Sequence, residues 1–304
     1  MGAGAIGSLI GGFLARSGFD VTLIGRKKHV EAIRKNGLTI KGVSGNFRMN
    51  VKSTARVDSL NDVFDLVILT VKAYDTKKAV AECKPLFGYG TILLCLQNGL
   101  GVEDEASGIV AKERVLRGIT NNGAQLEKPS VVLHTGVGET VLGKPNKDGS
   151  SDAERVAGIF DEAGLKVKVA SNIHGAVWVK ALVNVGINPF GALTKMRNGE
   201  LLTTVELKNL MAETVMEGVR VAGRLGVKLD EADPVSVMFR TAEATAENRN
   251  SMLQDIERGK RTEIDYINGA IARLGFKVGV QTPLNSLLTY LIKGLEKAGG
   301  APYL

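Results

Sequence analysis

The chain begins with a glycine-rich motif that constrains the fold around it. Gly2, Gly4 and Gly7 have the spacing GxGxxG, and the apolar helix candidate SLIGGFLARSG follows directly. The first glycine permits a tight turn, the second lets backbone approach a pyrophosphate, and the third allows close helix–strand packing. The amino end of the helix adds unpaired N–H groups and a favourable dipole. The motif predicts a cofactor-binding loop made of Gly2, Ala3, Gly4, Ala5, Ile6 and Gly7.

Such a loop normally follows the central strand of a parallel sheet, yet only Met1 precedes it here. Without that strand the neighbouring strand candidates, Asp20–Gly25 and Asp65–Val71, would leave buried backbone groups unpaired, which is costly. We therefore expect the natural coding sequence to start upstream of Met1 and to supply the strand. An upstream stop codon with no β-like run before it would contradict this expectation.

The first half of the chain alternates short apolar runs with helical segments. The runs are continuous rather than alternating, which is typical of parallel strands covered on both faces. We expect the segment Ser130–Gly143 to be antiparallel. The other strand candidates are Asp20–Gly25, Asp65–Lys72, Thr91–Gly99, Glu113–Thr120 and Lys166–Ala170, and the helix candidates are Ser8–Ser17, Lys28–Asn36, Tyr74–Leu86, Val102–Ala111 and Ser151–Ala163. This order predicts a doubly wound α/β domain of the Rossmann type over residues 1–170, with its first strand truncated.

The periodicity beyond residue 170 is helical throughout. The helix candidates there are Gly175–Ile187, Val205–Leu225, Asp233–Glu247, Thr262–Leu274 and Pro283–Lys297. The pattern predicts an all-α second domain over residues 171–304.

Composition narrows the class of protein. The two cysteines, Cys83 and Cys95, lack CxxC spacing, so we expect neither a metal site nor a disulfide and favour a reduced, cytoplasmic compartment. No apolar run approaches the roughly 20 residues of a membrane span.

The net charge of +7 fits nucleic-acid binding or an enzyme with anionic ligands. The basic residues are scattered and only 5% of residues are aromatic, so nucleic-acid binding ranks last.

The strand after the glycine motif ends in GRKKH, at residues 25–29. An acidic residue usually stands here to bind the ribose hydroxyls of NAD, whereas Arg26 suits the 2′-phosphate of NADP through a charge-assisted contact. The alternative is that Arg26 simply starts a solvated basic helix. We favour NADP.

A polar stripe crosses an otherwise apolar helix candidate. Lys180, Asn184 and Asn188 are spaced i, i+4, i+8 and therefore share one helix face. Burying them is costly unless something polar meets them, so the stripe indicates a small, oxygen-rich substrate. An ordinary solvent face is the alternative, although such faces usually mix Glu with Lys.

A second polar cluster occupies residues 250–269. Ser251 precedes an apolar helix and Glu263 lies near the start of another. Both residues have a purely structural alternative, Ser251 as an N-cap and Glu263 as part of a capping pattern.

Taken together, these motifs resemble the 2-dehydropantoate 2-reductase (ketopantoate reductase) family. The resemblance rests on GAGAIG, TVKAYDT, LQNGLG, HTGVGETVLG, the spacing W-x-K-x3-N-x3-N-P, NGELL and SMLQDIERGKRTEIDYING, which span nearly the whole chain. It implies a helical second domain of the 6-phosphogluconate-dehydrogenase-like class. It also implies NADPH-dependent reduction of 2-dehydropantoate to (R)-pantoate, a step toward pantothenate and coenzyme A.

The resemblance also implies roles for single residues. Lys180 matches the catalytic lysine, and Glu263 matches a glutamate near cofactor and substrate. The matching substrate-binding residues are Asn98, Lys180, Asn184, Asn188, Asn198 and Ser251. The cofactor contacts beyond the glycine loop and Arg26 are Lys72, Asn98, Glu263 and, on a looser match within a loop, Ala124. The three histidines, at 29, 134 and 174, receive no catalytic role.

Two other functions stay open at this point. A related NADP-dependent reductase could use the same lysine and asparagines on a different 2-oxo acid. A catalytically silent NADP-binding sensor is the alternative from another class, but it predicts loss of Lys180. The ligands we expect are small molecules, and the oligomeric state is left open, with a homodimer as one alternative.

Overall fold

The computed structural model describes residues 1–145 and 151–299. The chain divides into two compact units. The first contains Met1–Gln97 and Val102–Ile173, and the second contains Asn98–Gly101 and the chain from His174 onward. The sequence pattern placed a boundary between residues 170 and 171. The observed division follows Ile173 and also assigns the short segment Asn98–Gly101 to the second unit.

The first unit has a mixed α/β architecture, as predicted. Its helices are α1 (Ala5–Arg16), α2 (Lys27–Asn36), α3 (Thr76–Cys83), α4 (Val102–Ser107) and α5 (Ser151–Glu162). Its strands are β1 (Thr22–Ile24), β2 (Leu38–Gly42), β3 (Phe47–Met49), β4 (Lys52–Thr54), β5 (Phe64–Leu69), β6 (Phe87–Cys95), β7 (Val115–Thr120), β8 (Gly123–Lys128), β9 (Val131–Gly136), β10 (Thr140–Gly143) and β11 (Val167–Val169).

The described strands of this unit form three sheets. A five-stranded sheet has the order β11-β10-β7-β6-β5. Within it β5, β6 and β7 are parallel, β10 runs antiparallel to β7, and β11 is parallel to β10. Strands β1 and β4 pair in parallel, and a four-stranded sheet has the order β3-β2-β9-β8. The parallel part of the larger sheet brings the carboxyl ends of β5, β6 and β7 to one edge.

The segment Ser130–Gly143 contains two strands that belong to different sheets. Both make the antiparallel pairs that we expected, β9 with β8 and β10 with β7, but they do not pair with each other. Strand β9 also pairs in parallel with β2, a strand that the sequence pattern missed.

The start of the chain bonds to two sheets. The Met1 amino group donates to the Ile68 carbonyl at 2.7 Å, and the Thr70 N–H donates to the Met1 carbonyl at 2.9 Å. On the other side, the Gly2 and Ala3 N–H groups both donate to the Ile24 carbonyl. Burial lowers the pKa of the Met1 amino group. An upstream start of the coding sequence stays a prediction.

The second unit is helical, as predicted. Its helices are α6 (Ile173–Thr194), α7 (Val205–Arg224), α8 (Pro234–Ala244), α9 (Ser251–Glu257), α10 (Asn268–Val278) and α11 (Pro283–Ala298), and its described residues contain no strand. The predicted helix Thr262–Leu274 is wrong at its start. A single turn, Ile264–Tyr266, precedes α10 because Ile267 has a non-helical backbone, with φ −109° and ψ −100°.

Helix α6 is longer than predicted, since it continues through Pro189 to Thr194. By length and composition it could cross a membrane, contrary to the expectation that no apolar segment approaches that length. However, 78% of its most apolar window is buried inside the fold, and the core helix of a globular protein passes the same test. The helix is therefore weak evidence for a membrane span.

Candidate active site

The glycine loop is packed tightly on one side. Gly2 has a φ of +98°, and a Cβ built on it would lie 2.5 Å from the Val71 nitrogen. A Cβ on Gly7 would lie closer than 3.0 Å to both the Gly2 carbonyl oxygen and Thr70 Oγ1. The first and third glycines of the motif thus allow the amino end of α1 to approach the carboxyl end of β5.

The second glycine faces open space instead. The nearest atom to a Cβ built on Gly4 is the Gly2 carbonyl oxygen, at 3.9 Å. Gly4 is the N-cap of α1, so the first N–H groups of the helix lie beside this space and lack partners within the helix. Open space at a helix amino end, reached by bare backbone, suits a pyrophosphate. The loop fits a dinucleotide.

The carboxyl end of β1 carries a cation. Arg26 is exposed and occupies the N-cap position of α2. Its backbone carbonyl accepts from the N–H groups of His29 and Val30, but its guanidinium makes no hydrogen bond or ion pair with the residues that the structure describes. Its neighbour Lys27 lies 3.9 Å from Glu31. The first turn of α2 contains no acidic residue. A ligand at this point therefore meets a guanidinium rather than a carboxylate.

Two further predicted cofactor contacts lie on separate elements of the first unit. Lys72 is half-buried between the end of β5 and the single turn Ala73–Asp75. Ala124 is the second residue of β8, not a loop residue as expected, and it packs against the hydrophobic core of the unit. Their contacts with a cofactor stay predictions.

The predicted polar stripe lies on α6. Lys180 and Asn184 are half-buried, and Asn188 is only 5% exposed. Apolar residues around them are buried, including Val177, Leu182 and Val185. Such burial argues against an ordinary solvent face, because a buried amide needs a hydrogen-bonding partner.

Two more predicted substrate contacts follow α6 in the chain. Asn198 donates from Nδ2 to Thr245 Oγ1 at 2.8 Å, while its Oδ1 is buried without a hydrogen-bond partner among the described residues. Ser251 is exposed and is the first residue of α9. The N-cap is Asn250, whose Oδ1 accepts from the Leu253 N–H at 3.0 Å. The structural alternative for Ser251 was therefore wrong.

Glu263 and Asn98 belong to neighbouring parts of the second unit. Glu263 is 6% exposed and precedes the turn Ile264–Tyr266, which it does not cap with its side chain. The segment Asn98–Gly101 lies against the end of that turn, because the Leu100 N–H donates to the Tyr266 carbonyl at 2.9 Å. Gly99, with a φ of +94°, allows this approach, since its Cβ would lie 2.6 Å from the same oxygen.

Two of the three histidines are buried structural groups. The Ser130 N–H donates to His29 Nδ1 at 3.1 Å, so His29 carries its proton on Nε2 and donates to Ser8 Oγ at 2.9 Å. His134 is bonded to Asn122 and Ser44. Burial lowers the pKa of both imidazoles. The described residues contain no cluster of three or more potential metal ligands.

Sequence reasoning missed a buried arginine that bonds to the chain just before Asn98. Arg117, on β7, is 1% exposed and donates to the carbonyls of Cys95 and Gln97, at 2.9 and 2.8 Å. Its Nε lies 3.1 Å from Glu103 in the first turn of α4. Arg117 therefore contacts the chain on both sides of the segment Asn98–Gly101, at Gln97 before it and at Glu103 after it. The signal was an arginine inside the apolar run ERVLRGIT.

The glycine loop, the parallel strands behind it and the helical second unit define a nicotinamide-dinucleotide-dependent oxidoreductase with separate cofactor and helical domains. The comparisons identify the family. A model described as ketopantoate reductase PanE/ApbA matches residues 1–147, and the model of its C-terminal domain matches residues 172–296. The chain belongs to the ketopantoate reductase family.

Relatives match along the full length. The 2-dehydropantoate 2-reductase of Pyrococcus horikoshii is 44% identical over 300 residues, covering 99% of this chain and 97% of the relative. That of Archaeoglobus fulgidus is 38% identical, with 97% and 96% covered. Among solved structures, a ketopantoate reductase of Ralstonia eutropha has a TM-score of 0.92 at 33% identity, with 98% of each chain covered. A D-mandelate dehydrogenase with NADH and anilino(oxo)acetate has a TM-score of 0.93 at 32% identity, with 99% and 98% covered.

Proposed function

We propose that this enzyme reduces 2-dehydropantoate to (R)-pantoate with NADPH, in the route to pantothenate and coenzyme A. The observation that carries the proposal is the half-buried Lys180 in line with Asn184 and Asn188 on an otherwise apolar helix. Full-length similarity to 2-dehydropantoate 2-reductases supports the choice of substrate. The test is NADPH oxidation, followed at 340 nm, with 2-dehydropantoate as the substrate.

The chemistry follows from the residues of the second unit. The bound dihydronicotinamide supplies a hydride, and reduction of the ketone places negative charge on its oxygen. The Lys180 ammonium stabilises that charge and gives the proton from Nζ. A carboxylate near a lysine favours its ammonium form, and this is the role that we propose for Glu263 toward Lys180. Asn184 and Asn188, together with Asn98, Asn198 and Ser251, bind and orient the oxygens of the substrate.

Arg26 supports NADPH over NADH as the cofactor. It is a cation with no partner among the described residues, at the place where the adenosine ribose of a dinucleotide is bound. A guanidinium binds a 2′-phosphate through charge-assisted hydrogen bonds. Lys72 adds a second cation at the end of β5, and Ala124 a backbone contact on β8.

A second substrate class is favoured by one comparison. The D-mandelate dehydrogenase, a structural neighbour, binds anilino(oxo)acetate, which is built on a 2-oxo acid group. A lysine with two asparagines would serve any such group. Steady-state rates with 2-dehydropantoate and with smaller or aromatic 2-oxo acids separate the two functions. A large preference for the smaller or aromatic acids would replace 2-dehydropantoate as the proposed substrate. As part of the same proposal, the enzyme is cytoplasmic and its ligands are small molecules.

A further inference from the structure

Pro189 interrupts the hydrogen bonding of α6 at the polar stripe. In an α-helix the N–H of each residue bonds to the carbonyl four residues earlier, so an N–H at residue 189 would donate to the Val185 carbonyl. Proline has no N–H, and its ring also pushes against that carbonyl. Val185 is 0% exposed, so bulk water cannot replace the missing donor. The interruption falls between Asn184 and Asn188, the two residues that we assign to substrate oxygens.

Asn268, the first residue of α10, supplies the missing donor. Its Nδ2 lies 3.2 Å from the Val185 carbonyl oxygen and 3.1 Å from Asn285 Oδ1. Asn268 is completely buried. Flipping its amide would turn an oxygen toward two other oxygens, so only one orientation satisfies both acceptors.

A buried carboxylate fixes that orientation from two residues away. Glu217, on α7, is 2% exposed and accepts from the backbone N–H groups of Leu284 and Asn285, at 2.9 and 3.0 Å. It also accepts from Asn285 Nδ2 at 2.8 Å. Because a carboxylate only accepts, the Asn285 amide turns its NH2 to Glu217 and its oxygen to Asn268. Glu217 therefore fixes the orientation of the Asn285 amide, and the Asn285 amide in turn fixes that of Asn268.

The same part of α6 is closely packed by glycines. A Cβ on Gly186 would lie 2.7 Å from Val215 Cγ2 and 2.9 Å from Met238 Cγ. A Cβ on Gly218 of α7 would lie closer than 3.0 Å to Leu182. The backbone of α6 between its two asparagines is therefore held on the side of α7 and α8 by close packing, and at its free carbonyl by Asn268.

We propose that Asn268 is a positioning residue for the reductase reaction. By bonding to the Val185 carbonyl it sets the helix geometry that aligns Asn184 with Asn188, and Asn285 and Glu217 hold its amide in place. The proposal rests on the function proposed above, since it assigns substrate binding to this stripe. It predicts that the importance of Asn268 depends on residue 189 being a proline.

The test is a double-mutant cycle between Asn268→Ala and Pro189→Ala. The Pro189→Ala change restores the backbone donor to the Val185 carbonyl, so it makes Asn268 dispensable. In the wild-type background we expect Asn268→Ala to lower kcat/KM by roughly 10- to 100-fold, mainly through KM for the 2-oxo acid, with KM for NADPH within about threefold. In the Pro189→Ala background the same change lowers kcat/KM by less than about threefold. Equal losses in both backgrounds overturn the proposal.

A matched control removes a different buried polar group nearby. Thr214, on α7, is completely buried, and its backbone carbonyl accepts from Asn285 Nδ2 at 3.0 Å, a bond that a side-chain substitution leaves in place. Among the described residues its hydroxyl bonds only to the Leu210 carbonyl, within its own helix. Thr214→Val is expected to leave KM for the 2-oxo acid within about twofold, because its hydroxyl does not bond to α6. A rise in KM equal to that of Asn268→Ala would mean that KM reports general loss of packing, which contradicts the proposal.

Two further outcomes keep the test decisive. If Asn268→Ala does not fold, the proposal requires the double variant to fold and to turn over within about threefold of Pro189→Ala. A double variant that does not fold overturns the proposal. If the wild type fails to reduce 2-dehydropantoate, the proposed function fails by itself. The same four proteins are then compared by their free energies of unfolding in urea. If the effects of Asn268→Ala and Pro189→Ala on this free energy are additive, the proposed hydrogen-bond coupling between Asn268 and the Val185 carbonyl is contradicted.

Discussion

Substituting alanine at two glycines of the loop separates packing from cofactor binding. At Gly7 the added methyl meets the Gly2 carbonyl oxygen and Thr70 Oγ1, which are hydrogen-bonded to each other at 2.8 Å. Because these two oxygens hold each other in place, neither can shift easily to make room. Overpacking therefore lowers the free energy of unfolding by about 3 kcal/mol, in the upper part of its usual range. Alanine regains about 1 kcal/mol through its higher helix propensity. The net loss is about 2 kcal/mol.

At Gly4 the balance is different. Its φ of −87° and ψ of −154° are accessible to alanine, and the added methyl has no neighbour closer than 3.9 Å. The cost is that of a less favourable N-cap residue, about 0.5–1 kcal/mol. The methyl does occupy the space that we assign to the pyrophosphate. Gly4→Ala therefore weakens NADPH binding by about tenfold or more, while Gly7→Ala mainly lowers stability.

The assay combines unfolding with cofactor titration. Thermal unfolding of the ligand-free protein should show Tm lowered by roughly 4–8 °C for Gly7→Ala and by roughly 1–4 °C for Gly4→Ala. The fluorescence of NADPH titrated with each folded variant then gives Kd at 25 °C. Wild-type affinity in Gly4→Ala would refute the assigned position of the pyrophosphate. A loss of stability in Gly4→Ala equal to that in Gly7→Ala would refute the packing argument.

Three further predictions concern single residues. Arg26→Ala is expected to raise Kd for NADPH by roughly 10- to 100-fold, because a charge-assisted contact is lost. Kd for NADH should stay nearly unchanged. Equal effects on the two cofactors in calorimetric titrations would contradict an NADP preference. Lys180→Ala is expected to lower kcat by about 100-fold or more with NADPH binding retained, and substantial turnover would support a different proton donor. Because burial lowers the pKa of His29 from 6.5, the unfolded chain binds more protons below that pH, so the free energy of unfolding falls as the pH is lowered through 6.5. His29→Asn should make this fall shallower in urea titrations between pH 7.5 and 5.5, and an unchanged slope would assign the fall to other groups.

Features set by local spacing could be predicted from the sequence. The GxGxxG loop, the fold class and the polar stripe of α6 depend on residues close together in the chain, and so did the resemblance that the comparisons confirmed. The missed strands depend on distant partners. For example, Thr39 of β2 pairs with Val131 of β9, and the three-residue strand β3 is too short to show a period.

The polar network behind the stripe was also beyond the reach of a sequence pattern. The bond between Asn268 and Val185 joins residues 83 positions apart. In the sequence, Asn268 is one of several polar residues near the predicted start of a helix, and no spacing marks it as special. The predicted helix Gly175–Ile187 ends before Pro189, so the sequence did not show that this proline lies inside a helix and removes a backbone donor. Spacing alone also cannot say which distant amide replaces that donor.

The segment Asn98–Gly101 has a consequence for dissecting this protein into fragments. A single cut near residue 173 yields a piece that carries the six helices described for the second unit but lacks these four residues. In that piece the Tyr266 carbonyl loses the Leu100 N–H, and the surface that Gly99 covers is exposed. The helical unit is therefore not a separable module, and an isolated C-terminal fragment would lack the Asn98 proposed to bind substrate.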